Sequence, residues 1–141
     1  MDVAMRVAIS SGLVERIVAL AAAEPHREIC GLLLGTQDWI EEIVPAANVA
    51  TDPTVRFEVD PAVQFDVMRA ARAGGRALIG CYHSHPAGQA TPSRIDAATI
   101  GRIGEYWLIC DGQKVRAWQA DTTASFVEVV LSVQPRACVT S

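Results

Sequence analysis

The chain has 141 residues, half of them apolar and a fifth charged, with a formal net charge of -4. That length suits one domain with a real core, and the acidic balance speaks against a nucleic-acid surface, which needs a basic excess. No apolar run reaches the length of a membrane span, and Met1–Arg6 lacks the charged start and long apolar stretch of a signal peptide. The expected compartment is the cytoplasm, with no membrane or nucleic-acid partner.

In chain order, Val3–Ile9 reads as a first strand. Ser10 or Ser11 can cap a helix over Gly12–Ala23, where Leu13, Ile17, Leu20 and Ala21 recur at helical spacing and Pro25 lies beyond the end. Glu28–Gly35 is a short, almost wholly apolar run and predicts a strand buried on both faces. Trp39–Ala47 predicts the next strand, irregular or at an edge near Pro45, followed by a loop over Asn48–Thr54. Arg56–Val59 predicts a further short strand. Asp60-Pro61 is a cap followed by a first-turn proline, starting a helix that runs to about Ala73 with Val63, Val67 and Ala71 inward. Ala77–Tyr82 is a buried strand bounded by Gly74-Gly75 behind and Pro86 ahead. A helix is expected from Ser93 to about Ile103, then strands over Tyr106–Cys110, Lys114–Gln119 and Phe126–Val133, the first two joined by an Asp111-Gly112 turn. Residues 1–133 form the expected domain and 134–141 a loose tail. The economical arrangement is an α/β single domain, one curved mixed sheet flanked by three helices.

The four cysteines, Cys30, Cys81, Cys110 and Cys138, form no C-x-x-C pair, which argues against a cysteine zinc knuckle. The first three lie in apolar runs and read as buried, reduced thiols. Cys81 precedes His83 by two residues on the same strand face and can in principle reach a metal there.

The chemistry concentrates in His83-Ser84-His85-Pro86 and the segment after it. Side chains two apart on a strand share a face, so His83 and His85 leave the strand end together. A short loop returns Asp96 to them. Two imidazoles and a carboxylate, with a fourth position open to water, form the ligand pattern of a catalytic zinc. Ser93 lies one helical turn before Asp96 and can face the same way, where its hydroxyl can donate to a developing oxyanion. Glu28 is the candidate base, a carboxylate opening an otherwise apolar strand. Each residue also has a plainer role. The histidines can be ordinary strand-end residues, Ser93 and Asp96 fit a capping box, Glu28 can be an exposed acid before a strand, and Ser84 points to the other strand face.

The ordered set Glu28…His83-x-His85-Pro86…Ser93-x-x-Asp96, with six residues between Pro86 and Ser93, resembles the JAMM (MPN-plus) zinc metalloprotease family, and the element order extends the resemblance over nearly the whole chain. The resemblance implies a cytidine-deaminase-like α/β fold, Zn2+ held by His83, His85 and Asp96, Glu28 as the base for the water, and Ser93 stabilising the developing oxyanion. It implies hydrolysis of a peptide, isopeptide or related amide bond. The chain lacks room for the insertions of eukaryotic members and is more similar to compact prokaryotic ones, several of which act with ubiquitin-like sulfur-carrier proteins. That makes such a carrier, or its conjugate, the expected partner. Competing expectations are a non-catalytic MPN-type scaffold and a zinc amidase acting on a small amide. The RadC-like branch shares the H-x-H-P…S-x-x-D spacing but not the Glu28–Gly35 region.

Overall fold

The computed structural model describes residues 5–122 and 124–135. Its elements in order are β1 (Arg6–Ser10), α1 (Ser11–Ala23), β2 (Cys30–Gly35), β3 (Trp39–Ala46), α2 (Pro61–Arg72), β4 (Ala77–Ser84), α3 (Arg94–Ala98), β5 (Tyr106–Cys110), β6 (Val115–Thr122) and β7 (Ser125–Gln134). The expected α/β domain with a mixed sheet and three helices is present. The sheet curves until it closes on itself, in the order β1-β3-β2-β4-β5-β6-β7 with β7 back against β1. β1 is parallel to both neighbours. It shares five residue pairs with β7, from Arg6↔Val130 to Ser10↔Gln134, and only two with β3.

The two sheet faces carry different helices. Leu33 of β2 packs with Val7, Ile9, Ile40, Tyr82 and Leu108, and α1 presses Ile17 and Ala21 onto this cluster. Its neighbours Leu32 and Leu34 point the other way and meet Val63 and Val67 of α2 together with Leu78 and Cys81. The continuous apolar run of β2 thus follows from burial on both faces, as its sequence predicts. Ser10 caps α1 by accepting from the Leu13 amide, and Asp60 caps α2 by accepting from the Ala62 amide, with Pro61 at the first helical position. Gly80 is required by the close approach of β4 and β5, since a Cβ there would collide with the Tyr106 carbonyl oxygen.

Several expectations change. β1 starts at Arg6, with residues 1–4 outside the described part of the chain. Arg56–Val59 is no strand. Only Asn48↔Val59 forms a bridge, and the alternation of Phe57 and Val59 with polar neighbours reflects a loop folded over the sheet end. α3 is half the expected length, ending at Ala98, because Gly101 and Gly104 follow closely and Gly104 adopts a φ of 93°. β7 continues through Gln134, one residue into the expected tail, of which residues 136–141 lie outside the described residues. Within β7 only Val129 is fully buried. Val127 and Val133 stand exposed. Cys30 and Cys110 are buried free thiols as expected, and Cys81 is half-buried. The Asp111-Gly112 turn is present: Asp111 Oδ1 accepts from the amides of Gln113 and Lys114, and Gly112 takes a φ of 100°.

β4 is antiparallel to β2 on one side and parallel to β5 on the other. Ligands of open α/β sheets gather where the strand arrangement switches, at the carboxyl ends of the strands. The carboxyl end of β4 is where His83, Ser84 and His85 emerge.

A candidate metal centre at the end of β4

His83 sits on the sheet face that carries Cys81 and is completely buried. His85 follows beyond the strand end, its amide donating to the Cys110 carbonyl at 2.8 Å, so β5 fixes its backbone. The next turns double back. Gly88 N donates to the His85 carbonyl, and the Trp118 indole donates to the Ala90 carbonyl at 3.0 Å, pinning the loop. α3 then starts with a capping box. The Asp96 amide donates to Ser93 Oγ at 3.0 Å, and the Ser93 amide donates to Asp96 Oδ2 at 2.9 Å.

This folding brings three donor atoms together. His83 Nε2 and His85 Nε2 are 2.9 Å apart, and Asp96 Oδ2 lies 3.2 Å from the first and 3.1 Å from the second. Two ring nitrogens at that separation need a shared proton or a cation between them. A tetrahedral ion with donors at about 2.0–2.1 Å sets those donors about 3.3 Å from one another, so the triangle suits such an ion after shifts of a few tenths of an ångström. His85 Nδ1 donates to the Gln89 carbonyl at 2.7 Å, which leaves the Nε2 lone pair facing inward.

Glu28 reaches the same place from the residue pair before β2. It is 5% exposed, unlike the solvated acid that is the plainer expectation at a strand start. One of its carboxylate oxygens lies within 4.8 Å of a ring nitrogen of each histidine, so Glu28, His83 and His85 form a group able to hold a metal ion. Glu28 Oε1 is buried and finds no donor among the described residues. An unpaired buried carboxylate oxygen is costly and marks a place for a water or ligand atom. Burial, with Asp96 nearby, pushes the Glu28 carboxyl up to about 7 against the opposing pull of His85. Burial also pushes His83 down and so keeps it neutral, as a metal ligand must be. For His85 burial acts downward too, but Asp96, the Gln89 carbonyl and Glu28 outweigh it and raise it. Burial would raise Asp96; the two imidazoles against its Oδ2 and the Ser93 amide instead hold it well below the usual carboxylate range.

All five residues singled out in the sequence therefore meet at one end of the barrel. Ser93 is exposed there, and its oxygen already serves the cap. A hydroxyl keeps one proton to donate after accepting, so the capping role and a donor role coexist.

Two of the neighbours, Phe57 and Trp107, escape a sequence reading, while the sequence places Ser84 there on the opposite strand face. Phe57, from the loop before α2, stacks on the His83 ring with centroids 4.3 Å apart and planes at 19°. Trp107 of β5 meets the same ring edge-on at 5.6 Å. Ser84 Oγ accepts from the Ile29 amide at 2.9 Å and so ties the segment beside Glu28 to the histidine strand. The only sequence signal for Phe57 and Trp107 is their aromatic type, without a spacing to connect them to the site.

The family model for prokaryotic homologs of the JAB domain matches residues 10–121. The chain belongs to the prokaryotic JAB family. Among JAB-type relatives it is 34% identical over 119 residues to the desampylase of Haloferax volcanii, covering 81% of this chain and 84% of that one. It is 33% identical over 117 residues to a probable TtuB-protein conjugate cleaving protease of Thermus thermophilus, covering 76% of this chain and 78% of that one. The solution structure of a Desulfitobacterium hafniense protein superposes with a TM-score of 0.78 at 26% identity, covering 92% of this chain and 94% of that one. No helix among the described residues is long and apolar enough to cross a membrane.

Proposed function

We propose that this chain is a cytoplasmic zinc-dependent hydrolase that cleaves the amide or isopeptide bond at the C-terminal tail of a ubiquitin-like or sulfur-carrier protein. The observation that carries the reading is the convergence of His83 Nε2, His85 Nε2 and Asp96 Oδ2 within 3.2 Å of one another, beside a buried carboxylate oxygen left without a donor. The relatives named as a desampylase and a conjugate-cleaving protease support the reaction class and the kind of substrate.

In this reading His83, His85 and Asp96 hold the ion. Zinc, when bound, polarises a carbonyl oxygen and lowers the pKa of a water to near neutrality. Glu28 accepts a proton from the attacking water and delivers it to the departing amine nitrogen. A buried carboxylate with one oxygen left without a donor beside the histidines is placed for both steps. The Ser93 hydroxyl donates to the carbonyl oxygen as negative charge develops on it. The Gln89 carbonyl holds the His85 tautomer. Trp107 and Phe57 enclose the His83 ring and keep water from competing for its nitrogen. A scaffold would need neither a buried base nor a free hydroxyl proton.

The test uses a carrier protein with a Gly-Gly tail joined to a lysine side chain of a reporter peptide. Cleavage should release the carrier with its Gly-Gly carboxylate intact, stop with a chelator and return with zinc. Cleavage of small acyl amides but not of the conjugate would reassign the enzyme as an amidase. Binding of the carrier with no cleavage of either substrate would make the chain a scaffold.

A further inference from the structure

Glu28 belongs to no regular element. β2 begins two residues later, so strand pairing does not set the position of its main chain. Its main chain is held instead by the segment between β3 and α2. The Glu28 amide donates to the Pro53 carbonyl at 2.8 Å, and the Glu28 carbonyl accepts from Asn48 Nδ2 at 2.9 Å. The same Nδ2 donates to the Arg56 carbonyl at 3.0 Å. On the other side of the amide group, Asn48 Oδ1 accepts from the amides of Ala50 and Glu58, both at 3.0 Å. An asparagine side chain offers two donor hydrogens and two acceptor lone pairs, and all four are spent here on main-chain groups. Around it, Val49 N donates to the Glu58 carbonyl at 2.9 Å and Asp60 N to the Ala47 carbonyl at 3.1 Å. The loop 49–58 is therefore closed at its neck by this side chain together with two main-chain hydrogen bonds, and the same side chain also grips Glu28. That loop carries Phe57, the ring stacked on His83.

We infer that Asn48 is a positioning residue for the reaction: its carboxamide fixes the main chain of Glu28 and, through the same loop, lays Phe57 on His83. The inference rests on Glu28 acting as the base in the reading above. Asn48 touches neither substrate nor ion in this role. It acts by holding the carboxylate where a proton transfer needs it, and a misplacement of about 1 Å at such a group costs roughly 10²-fold in rate. No other side chain type does this. Asp keeps the acceptor and loses the donors, Ser and Thr lack the reach to span both loop strands and Glu28, and Gln places the amide a methylene too far.

Two variants test it, Asn48→Asp and Asn48→Ala, each made alone and with Glu28→Gln. Zinc content, steady-state kinetics on the Gly-Gly-lysine conjugate, and amide hydrogen exchange are measured on each. Both single variants should keep zinc at wild-type stoichiometry and a KM within about twofold, while kcat falls by roughly 10- to 100-fold. With Glu28→Gln already present, either change should lower kcat by less than about twofold more, because residues that act as a unit are not additive. The Glu28 and Glu58 amides should exchange faster in both variants, with those of α1 and β5 unchanged. Equal losses in both backgrounds, loss of zinc, an undiminished kcat, or failure of both variants to fold would each overturn the assignment. If the wild type cleaves no conjugate, the isopeptidase reading falls by itself. Hydrogen exchange then decides the clamp alone, and unchanged exchange at Glu28 overturns it.

Discussion

The two halves of the site are put together by different means. His83, His85, Ser93 and Asp96 come from a single run of chain that leaves β4, turns back and caps α3, with local hydrogen bonds orienting His85, Ser93 and Asp96 and β5 and Trp118 holding the turn from outside. Glu28 and Phe57 come from separate places and meet the first half only through contacts distant in sequence, the amide of Asn48 and the hydroxyl of Ser84 among them. The first half is a compact binding motif. The second is an assembled frame around it. On the proposed reading, the contrast makes holding an ion and using it separable, so changes in one half should leave the other measurably intact.

The largest expected effect breaks the first half. Asp96→Ala removes one of the three converging donors and the second half of the capping box together. The purified variant should retain no zinc after dialysis and lose more activity than the roughly 10²–10⁴ that a general base is worth, as read by elemental analysis and turnover. Stoichiometric zinc in this variant would mean that Glu28 replaces Asp96 as the third ligand. Glu28→Gln addresses the second half and should be the next largest. It keeps the shape of the side chain and removes the basic oxygen, so zinc should stay at wild-type content while turnover falls at least about 10²-fold. Lost zinc there would merge the two halves into one ligand set. Ser93→Ala should cost roughly 10²–10³ in kcat through the lost donor and about 1 kcal/mol of stability through the lost cap. A fall in melting temperature with full turnover would leave the cap as its only role. Phe57→Leu should be the mildest. An aromatic pair is worth about 0.5–1.5 kcal/mol beyond its buried area, so denaturant unfolding should show a loss near 1 kcal/mol with zinc content unchanged. A variant as stable as wild type would show that the loop is held by its neck without help from the ring.

The same contrast explains what the sequence could disclose. A motif of short reach is written in spacing, and the H-x-H-P segment, the serine after six further residues and the aspartate three beyond it were legible as residues that would lie close together. Glu28 was legible by incongruity, a lone acid at the start of an apolar run. The loop that holds it was not. Arg56–Val59 alternates like a strand, yet Asn48 spends its hydrogen bonds closing the loop neck and leaves a single bridge there. α3 was overextended because its apolar positions continue past Ala98 into Ile100 and Ile103, while glycines at 101 and 104 stop the helix first. Ring closure left no local trace at all, since β1 is too short to announce its partners and both of them lie parallel to it.

That closure also bears on how the molecule comes into being. β1 shares most of its pairing with β7, the last strand among the described residues, and little with β3. On a ribosome β1 therefore waits, with α1 beside it, until β7 has been synthesised. Parallel pairing between distant segments is slow because the chain entropy must be lost before the contacts repay it. β2, β3 and β4 can pair among themselves long before. The ring should thus close late and as a single event, and a nascent chain stalled before Ser125 should expose the apolar face of α1 to chaperones.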